Sequence, residues 1–532
     1  MPTSRGQELP LIVQKGTGAS LPAQIVEQIR PLIETGVLKA GDLLPSSRDL
    51  ARQLGVSRGT VVFAYEQLIG EGYLQAGHGG TRVDAHLRHR RLSPHNSGQR
   101  NSVLDPESGK NASVATAVTA GMPATAPGQS AVTPEEHPAP LRHGVISLLP
   151  GAPDTTLLAT TEWRAAWRRA AANPADGYPA AGSTQLRTHI TEHLRLTRSV
   201  LRSPDDVLVT AGAREGFRLL LTLLRRRVRN RPLRIAVENP GYPSLHRIPQ
   251  AFGHTVIPIP VDEQGLDPQY LPTGAQLPDI VLVAPSHQYP LGASMPAARR
   301  LELLEWARTH QVLIVEDDYD SELRYTGDPL PALAAMDRPA HHTHPAGGGD
   351  RVITLGSFAK VLTPGLNLGF LVMPRHLRDD LLHLRADLGN PVPALVQDAA
   401  ADLLAAGGVR RHIARMRKVY RARRALVVEQ LGDLPGADIL PMDGGLHAVL
   451  QLHSTADGEA DLVERAEGAG VLVAPLGSYW SAPAGVEASE VSEAKGDELT
   501  TAPLPLKGVV IGFGGMNDRK LAEGLQRLRR VL

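Results

Sequence analysis

The sequence predicts an α/β protein with two domains, a small helical domain at the N-terminus and a large domain with a mostly parallel sheet. The chain has 532 residues, more than one hydrophobic core normally holds. Residues 10–84 are rich in helix and turn signals, whereas residues 145–532 alternate strand-like runs with helical periods. This alternation indicates a mostly parallel, doubly wound sheet. We also expect a smaller C-terminal α/β subdomain from about residue 395. The strand-like runs are "DVLVTAG", "RIAVENP", "DIVLVAP", "VLIVEDD", "RVITLG" and "LGFLVMP".

Composition narrows the class of protein. Hydrophobic residues make up 42% of the chain and charged residues 21%, which is typical of a globular protein. The formal net charge is only +1, so nucleic-acid binding would need a local basic patch. No cysteine occurs, which excludes disulfides, thiolate metal sites and cysteine nucleophiles. No run of about 18 apolar residues occurs either, so we expect a cytoplasmic protein.

The N-terminal zone is predicted to form three short helices and a β-hairpin. Apolar residues recur at helical spacing in the first helix. A second helix starts at "PSS" (45–47) and ends at Gly55, and Ser57 caps a third helix. "GYLQAGHGGTRV" (72–83) follows as a small hairpin, the wing. The residues predicted to face the core are Ile25, Ile29, Leu32, Ile33, Leu50, Leu54, Val61, Tyr65 and Leu68.

Two helices joined by a tight turn indicate a helix-turn-helix that binds DNA. The third helix opens with polar and basic side chains, where a recognition helix contacts base edges and phosphates. The alternative is a small helical domain with ordinary surface arginines. Residues 1–92 carry eleven basic and eight acidic residues, so one copy should bind weakly, which favours a homodimer on paired half-sites. The candidate DNA-binding residues are Arg48, Ser57, Arg58, Thr60, His78 and Gly79.

Three segments contain few large apolar residues. Residues 85–144, rich in Ala, Pro, Ser, Thr and Gly, are predicted to be a flexible linker. Residues 338–350 and 481–505 are predicted to be disordered loops. A cluster of histidines in the first of these loops could bind a metal, but a loop without metal is the preferred interpretation. These histidines are His341, His342 and His344.

In the large domain, polar motifs follow the predicted strands. "VTAGAREG" (209–216) is a strand, a turn of small residues and a helix start, where backbone N–H groups can hold a phosphate. "VEDDYD" (315–320) places Asp317 and Tyr319 at the carboxyl end of a strand. Ligands bind outside these ends in open α/β sheets. Both motifs therefore predict a ligand site at the same edge of the sheet.

Two tyrosines and a lysine complete the set of residues that predict this ligand site. "VENPGYPS" (237–244) and "APSHQYPLG" (284–292) place Tyr242 and Tyr289 in turns after strands. Lys360 is framed by apolar and small residues, so it is either a surface charge or an amine that forms a Schiff base. Each motif alone is weak evidence. Together they suit a ligand with a phosphate, an aromatic ring with a basic nitrogen, a hydroxyl and an aldehyde, as in pyridoxal 5'-phosphate.

Longer stretches resemble known families. "LPSSRDLARQLGVSRGTVVFAYEQLIGEGYL" resembles the winged helix-turn-helix of GntR-type bacterial regulators. "PSHQYPLGASMPAARRLELLEWA", "VEDDYDSELRY" and "GSFAK" resemble a fold-type I aminotransferase domain. The combination resembles the MocR subfamily of GntR regulators, over nearly all regions predicted to be ordered. The resemblance implies pyridoxal 5'-phosphate as cofactor, double-stranded DNA as partner, and the cofactor or its amino-acid adduct as effector.

The resemblance also implies a role for each candidate residue. Lys360 would form the Schiff base with the cofactor aldehyde, and Asp317 would keep the ring nitrogen protonated. Tyr319 would hydrogen-bond the ring hydroxyl, and Tyr242 would stack on the ring. Tyr289 takes the place where aminotransferases carry an asparagine. The residues implied around the phosphate are Gly212, Ala213, Arg214, Ser357 and Asn367, with Tyr178 reaching the phosphate of a neighbouring subunit.

The sequence departs from the family pattern around the expected phosphate and substrate sites. Asn367 stands where the family has an arginine that grips the phosphate, and Ala213 and Arg214 replace a Ser or Thr and a Gln. We expect Arg214 to supply the guanidinium that position 367 lacks. The alternative is that Arg214 points to solvent and the phosphate is bound more weakly. Val510 replaces an arginine that binds the substrate carboxylate, and Ser244 lacks another arginine of this kind.

The missing carboxylate clamp favours a regulator that senses the cofactor over a working aminotransferase, because a transaminase must orient its substrate. We therefore expect a transcriptional regulator that controls vitamin B6 or amino-acid metabolism. One alternative is an active aminotransferase with an appended DNA-binding domain. Another is a binding module that no longer holds a cofactor.

Overall fold

The computed structural model describes residues 9, 11, 13, 20–34, 37–77, 80–84, 144–325, 331–337, 350–453, 458–481 and 506–532. The predicted linker and both predicted loops therefore lie almost wholly outside the described residues. The candidate residues His78, Gly79, His341, His342 and His344 also lie outside them. Within the described part of the chain, no helix is both long and apolar enough to cross a membrane.

The N-terminal domain is a winged helix-turn-helix, as predicted. Helices α1 (Leu21–Glu34), α2 (Ser47–Leu54) and α3 (Arg58–Gly70) precede an antiparallel hairpin of β1 (Leu74–Gly77) and β2 (Gly80–Val83). The predicted core residues are buried, except that Leu32 and Leu54 are only partly buried at its edge.

Local caps define the turn between α2 and α3. Ser46 Oγ accepts a hydrogen bond from the Asp49 N–H, and Ser57 Oγ accepts one from the Thr60 N–H. Gly55 ends α2 with a φ of 64°, a conformation that glycine adopts without the strain of a side chain. These caps explain why the sequence alone predicted the helix boundaries here.

The described part of the large domain contains fourteen strands and eleven helices. The strands are β3 (Ile146–Ser147), β4 (Val207–Thr210), β5 (Arg234–Asn239), β6 (Thr255–Asp262), β7 (Gly265–Leu266), β8 (Ile280–Val283), β9 (Leu313–Asp318), β10 (Val352–Ser357), β11 (Gly369–Val372), β12 (Ala437–Ile439), β13 (His447–Leu452), β14 (Val471–Leu472), β15 (Ala474–Pro475) and β16 (Gly508–Gly512). The helices are α4 (Thr161–Ala172), α5 (Thr184–Arg198), α6 (Gly212–Arg227), α7 (Pro243–Ala251), α8 (Ala297–His310), α9 (Leu333–Met336), α10 (Arg375–Leu388), α11 (Ala394–Ala405), α12 (Gly408–Leu431), α13 (Glu459–Gly468) and α14 (Asp518–Arg529).

The central sheet has eight strands in the order β4-β11-β10-β9-β8-β5-β6-β7. The neighbours from β10 to β6 are parallel, whereas β11 is antiparallel to β10 and β4, and β7 is antiparallel to β6. A mostly parallel sheet is covered on both faces. Accordingly, Ile314 of β9 belongs to one apolar core and its neighbour Val315 to another. The predicted fold class is confirmed.

A second sheet, β12-β13-β16-β15, lies in the C-terminal part of the chain. β3 pairs in parallel with β14, so the residues that open the large domain are joined to this C-terminal part. All six strand-like runs of the sequence form strands of the central sheet. β6 was not predicted, because two prolines interrupt its alternating pattern.

Candidate functional site

One cavity of about 520 Å³ lies at the carboxyl ends of the central strands. Its walls include the ends of β4, β5, β8, β9 and β10 and the turns after them. This is the edge of the sheet at which the sequence predicted a ligand site. The predicted cofactor residues in its lining are Gly212, Ala213, Arg214, Tyr242, Tyr289, Asp317, Tyr319, Ser357, Lys360 and Asn367.

Lys360 lies in the connection between β10 and β11. Its neighbours Phe358, Val361 and Leu362 are buried in the core and anchor this connection. Lys360 Nζ donates a hydrogen bond of 2.8 Å to the carbonyl oxygen of Gly151. The amine is thus half-buried and held by the backbone in the cavity, which contradicts the alternative of a freely exposed surface charge.

Strand β9 carries carboxylates on both of its faces, because side chains alternate along a strand. Asp317 lines the cavity. On the opposite face, Asp318 accepts a hydrogen bond of 2.8 Å from Arg198, and Glu316 lies 3.8 Å from the same guanidinium. Arg198 thereby contacts both carboxylates behind the cavity, and burial raises the pKa of Glu316 and of Asp318. Among the described lining residues, Asp317 is the acidic one.

Tyr319 is hydrogen-bonded to a histidine that was not predicted. Its hydroxyl donates to the His287 carbonyl oxygen at 3.0 Å and lies 3.0 Å from Nδ1 of the same residue. His287 Nδ1 also lies 2.9 Å from Asp320 Oδ2. Burial, followed by the charge of Asp320, raises the pKa of Tyr319 well above its ordinary value. The hydroxyl therefore keeps its proton at neutral pH.

Aromatic rings form one wall of the cavity. Tyr289 packs edge-to-face against Tyr242, Tyr319 and Tyr479, with ring centroids 5.5, 6.1 and 5.4 Å apart. This arrangement is favourable between aromatic quadrupoles. His447 lies 4.7 Å from Tyr289, and burial lowers the pKa of His447 to about 3, so its ring is neutral at neutral pH. The wall is an apolar, closely packed surface that suits a flat ring.

The start of α6 forms the polar end of the cavity. This helix has no side-chain N-cap. Arg214 Nη2 donates a hydrogen bond of 2.8 Å to Ser244 Oγ. Asn367 Oδ1 lies only 3.5 Å from the position that a Cβ on Gly212 would take. Backbone N–H groups at a helix start, together with a guanidinium, favour an anion at this end.

Three residues that the family resemblance singled out, Tyr178, Ser244 and Val510, lie outside the cavity lining. The Tyr178 hydroxyl donates to the carbonyl oxygen of Val392 in the same chain, and its role toward a neighbouring subunit stays a prediction. Val510 of β16 is fully buried in an apolar cluster with Tyr289 and Tyr479. Position 510 therefore belongs to the packing behind the aromatic wall in this protein.

The sequence did not point to Gly151, His287 or Asp320. His287 and Asp320 lie inside the motifs "APSHQYPLG" and "VEDDYD", so their polarity next to a predicted site was an available signal. Gly151 is 209 residues before Lys360, and no local pattern links the two.

The described DNA-binding candidates lie at the starts of α2 and α3. Arg48 and Arg58 are exposed, and Arg58 Nε donates a hydrogen bond of 3.4 Å to Ser47 Oγ, which links the two helix starts. Ser57 Oγ and Thr60 Oγ1 lie 2.8 Å apart within the cap of α3. The cap therefore engages these two hydroxyls, whereas the arginines present charge to solvent.

Comparison with known proteins matches both domains. Residues 21–83 match the family described as bacterial regulatory proteins, gntR family. Residues 145–479 match the family described as aminotransferase class I and II. The cofactor that this second family implies is pyridoxal 5'-phosphate.

Two relatives match this chain over most of their length, across both domains. The HTH-type pyridoxine biosynthesis transcriptional regulator PdxR of Corynebacterium glutamicum is 43% identical over 475 residues, which cover 89% of this chain and 92% of that protein. The probable rhizopine catabolism regulatory protein MocR of Rhizobium meliloti is 30% identical over 531 residues, covering 98% and 95%.

Solved structures support the fold of the large domain. The kynurenine aminotransferase of Pyrococcus horikoshii superposes with a TM-score of 0.60 at 24% identity, over 73% of this chain and 90% of that one. An archaeal alanine:glyoxylate aminotransferase gives a TM-score of 0.62 at 22% identity, over the same shares. With its winged helix-turn-helix joined to an aminotransferase class I and II domain, the chain belongs to the MocR-type regulators of the GntR family.

Proposed function

We propose that this transcriptional regulator holds pyridoxal 5'-phosphate in the cavity of the large domain, and that the cofactor or its amino-acid adduct changes the affinity of the winged helix for an operator. The observation that carries the proposal is the convergence of Lys360, Asp317 and Tyr319 in one cavity, in a chain that also has a winged helix-turn-helix. A half-buried amine and a carboxylate beside an aromatic wall suit an aldehyde and a protonated ring nitrogen.

The residues of the cavity suit the ring of this cofactor. When bound, pyridoxal 5'-phosphate supplies an aldehyde that condenses with amines and a ring that withdraws electrons. Lys360 would provide the amine, and Asp317 would hold the proton on the ring nitrogen. Tyr319, whose hydroxyl stays protonated, would hydrogen-bond the ring oxygen. Tyr242 and Tyr289 would contact the ring and exclude water from it.

The polar end of the cavity suits the phosphate. Ser357 Oγ accepts a hydrogen bond of 3.1 Å from the Ala359 N–H, which leaves the hydroxyl proton to be donated to an anion. The guanidinium of Arg214 and the amide of Asn367 would add further donors. The residues that would hold the phosphate are Gly212, Ala213, Arg214, Ser357 and Asn367.

The residues of the cavity favour a protein that senses the cofactor over an enzyme that transaminates a substrate. An aminotransferase needs a cation to orient the substrate carboxylate. Among the described lining residues, Lys360 and Arg214 are the basic ones. Lys360 would bind the aldehyde and Arg214 would bind the phosphate. No described lining residue would then remain to bind the carboxylate of a substrate. We therefore propose a regulator rather than a working transaminase.

The proposed signal is pyridoxal 5'-phosphate itself, and the proposed regulated process is vitamin B6 synthesis. The 43% identity to a protein named as a pyridoxine biosynthesis regulator supports this choice. We also propose a homodimer that acts in the cytoplasm on paired half-sites. The small basic excess over residues 1–92 supports it, because one winged helix alone would bind weakly.

An absorbance titration of the full chain tests this proposal. Pyridoxal 5'-phosphate should give a visible band that borohydride removes, and peptide mass analysis should then find the reduced adduct on Lys360. An adduct on another residue would contradict the assignment of the site. Added amino acids should not convert the bound cofactor to pyridoxamine phosphate, and such a conversion would support the aminotransferase alternative.

A further inference from the structure

The winged helix-turn-helix docks on the large domain at the start of α8. The Ala297 N–H donates a hydrogen bond of 2.9 Å to the carbonyl oxygen of Glu71, in the turn between α3 and β1. Gly72 follows with a φ of 75°, and a Cβ there would lie 2.8 Å from Pro296 Cβ. Ala297 is only 1% exposed and belongs to the apolar core of the winged helix. The first residue of α8 is thus built into the DNA-binding domain.

The same turn is tied to α3, which carries the DNA-binding candidates Arg58 and Thr60. The Glu71 side chain is buried and accepts a hydrogen bond of 2.8 Å from Arg30 of α1. It also accepts one of 2.9 Å from Gln67 of α3. A shift of α8 would therefore move α1 and α3 together, since Glu71 bonds to both.

On the large-domain side, Arg300 lies in the first turn of α8 and is buried. Its guanidinium donates to three carbonyl oxygens, those of Pro285 at 2.8 Å, Met295 at 2.7 Å and Pro331 at 2.6 Å. Burial lowers the pKa of Arg300 to about 10, so it remains charged at neutral pH. A buried cation whose hydrogen bonds go to carbonyl oxygens is destabilised if one of these oxygens moves away. Arg300 thus fixes both ends of the loop 285–295 to α8.

This loop lies between two cavities. Tyr289, near its middle, lines the proposed cofactor cavity. Residues 291–294 line a second cavity of about 960 Å³, whose lining also includes Phe63 and Gly70 of α3. Within the loop, Gln288 N–H bonds the Ala293 carbonyl at 2.8 Å, so the loop is held together internally. A displacement at Tyr289 would be passed on by the whole loop.

We infer that the loop 285–295 and the first turn of α8 form the connection through which cofactor occupancy changes the position of the winged helix. The inference rests on the proposed function and names the route of its regulation. A ligand against Tyr289 acts on the loop, Arg300 couples the loop to α8, and Ala297 couples α8 to Glu71. Packed elements of this kind shift as units instead of deforming gradually.

Leu301 offers a variant that disturbs the docking without touching the cofactor cavity or the DNA-binding candidates. It lies one turn after Ala297, is partly buried and packs against the core of the winged helix. Leu301→Glu places a charge in this contact. Thr309→Glu is the matched control, because it adds the same charge to an exposed position in the last turn of α8.

The measured quantity is the ratio of dissociation constants for one DNA duplex with and without saturating pyridoxal 5'-phosphate. The duplex is one that the full chain selects from random DNA, and fluorescence anisotropy gives the constants. A wild-type ratio of roughly 5 to 150 is typical of such coupling. Leu301→Glu should still bind the cofactor, as judged by absorbance, but its ratio should fall to about one. Thr309→Glu should keep the wild-type ratio.

A wild-type ratio in Leu301→Glu would overturn the inference, and so would an equal loss in Thr309→Glu. If Leu301→Glu does not fold, Leu301→Ala is judged by the same criterion, because it removes the contact without adding a charge. A wild-type ratio of one would instead contradict the proposed function, and the inference with it. The two failures are therefore distinguishable.

Discussion

The amine of Lys360 and the carbonyl oxygen of Gly151 are joined by a hydrogen bond of 2.8 Å. Gly151 has a φ of 102°, and a Cβ at this position would lie 3.1 Å from the lysine nitrogen. The segment 149–152 lines the cavity, and it follows β3, which pairs with β14 of the C-terminal part. The position of the lysine amine therefore depends on contacts that span most of the large domain.

Replacing Gly151 should weaken cofactor binding. Gly151→Ala strains a left-handed backbone and crowds the lysine amine, so we expect affinity for pyridoxal 5'-phosphate to fall about fivefold, the equivalent of one hydrogen bond. Gly144→Ala is the control, because Gly144 has a similar φ of 88° but nothing within 4 Å of an added Cβ. An absorbance titration measures both. Equal losses would assign the effect to backbone strain alone.

Removing the guanidinium of Arg214 should also weaken cofactor binding. A charge-assisted hydrogen bond contributes roughly 1.5–3 kcal/mol, so Arg214→Gln should lower the affinity about ten- to a hundredfold. Asn367→Arg in that background should restore much of it, because it returns a guanidinium to the same end of the cavity. Equilibrium titration of the visible absorbance gives the affinities.

The control for Arg214 is Arg218→Gln, an exposed arginine one turn further along α6 that does not line the cavity. It should leave the affinity unchanged. An unaltered affinity in Arg214→Gln would show that the cofactor is held by backbone amides and Ser357 at its phosphate and by the covalent bond to Lys360 at its aldehyde, without help from Arg214.

Strand β9 shows what the sequence could predict about the site. The apolar run before "VEDDYD" predicted a buried strand, and its end predicted that Asp317 and Tyr319 would face a ligand site. Both line the cavity. The contacts of Glu316 and Asp318 with Arg198 were not predictable, because these residues are more than 100 positions apart in the sequence and no local rule pairs them.

In the fold, too, local features were predictable from the sequence and long-range contacts were not. Ser46 and Ser57 begin helices and Gly55 ends one by local rules, so the helix-turn-helix was predictable from a few residues. Glu71 and Ala297 make a contact between two domains. No sequence pattern around either residue predicts that the two will be in contact. Sequence patterns report periodicity and caps, whereas packing between distant elements depends on the folded chain.

Arg58 should contribute to operator choice. If its guanidinium contacts a base edge with two hydrogen bonds, Arg58→Ala should weaken binding to the selected duplex by about 1–3 kcal/mol and binding to random DNA by less. Electrophoretic mobility shift on both duplexes gives the comparison. Equal losses on the two would make Arg58 a phosphate contact, and no loss on either would remove it from the interface.

Buried histidines should make the cofactor-free protein less stable in mild acid. Burial lowers the pKa of His447 to about 3, against an ordinary value of 6.5. Between these two values the unfolded chain binds a proton that the folded chain does not, so the free energy of unfolding falls as the pH falls, by roughly 1 kcal/mol per pH unit. His246, with a pKa lowered to about 4 by burial, acts in the same direction.

His447→Gln keeps an N–H for the carbonyl oxygen of Pro290 and removes the titrating ring, so it should flatten this pH dependence. His383→Gln, at an exposed histidine of α10, should retain the wild-type dependence. Urea unfolding at pH 7 and pH 5 measures all three proteins. A His447→Gln protein that loses as much stability on acidification as wild type would contradict the buried, neutral state of this ring.

The central claim is that the state of the Lys360 cavity controls DNA binding. The most direct test is the affinity of the full chain for its selected duplex, measured with and without pyridoxal 5'-phosphate, in wild type and in Lys360→Ala. We predict that the cofactor changes the affinity of the wild type and leaves that of Lys360→Ala unchanged, while both proteins remain folded. A wild-type affinity that does not respond to the cofactor, or a full response in Lys360→Ala, would contradict the account.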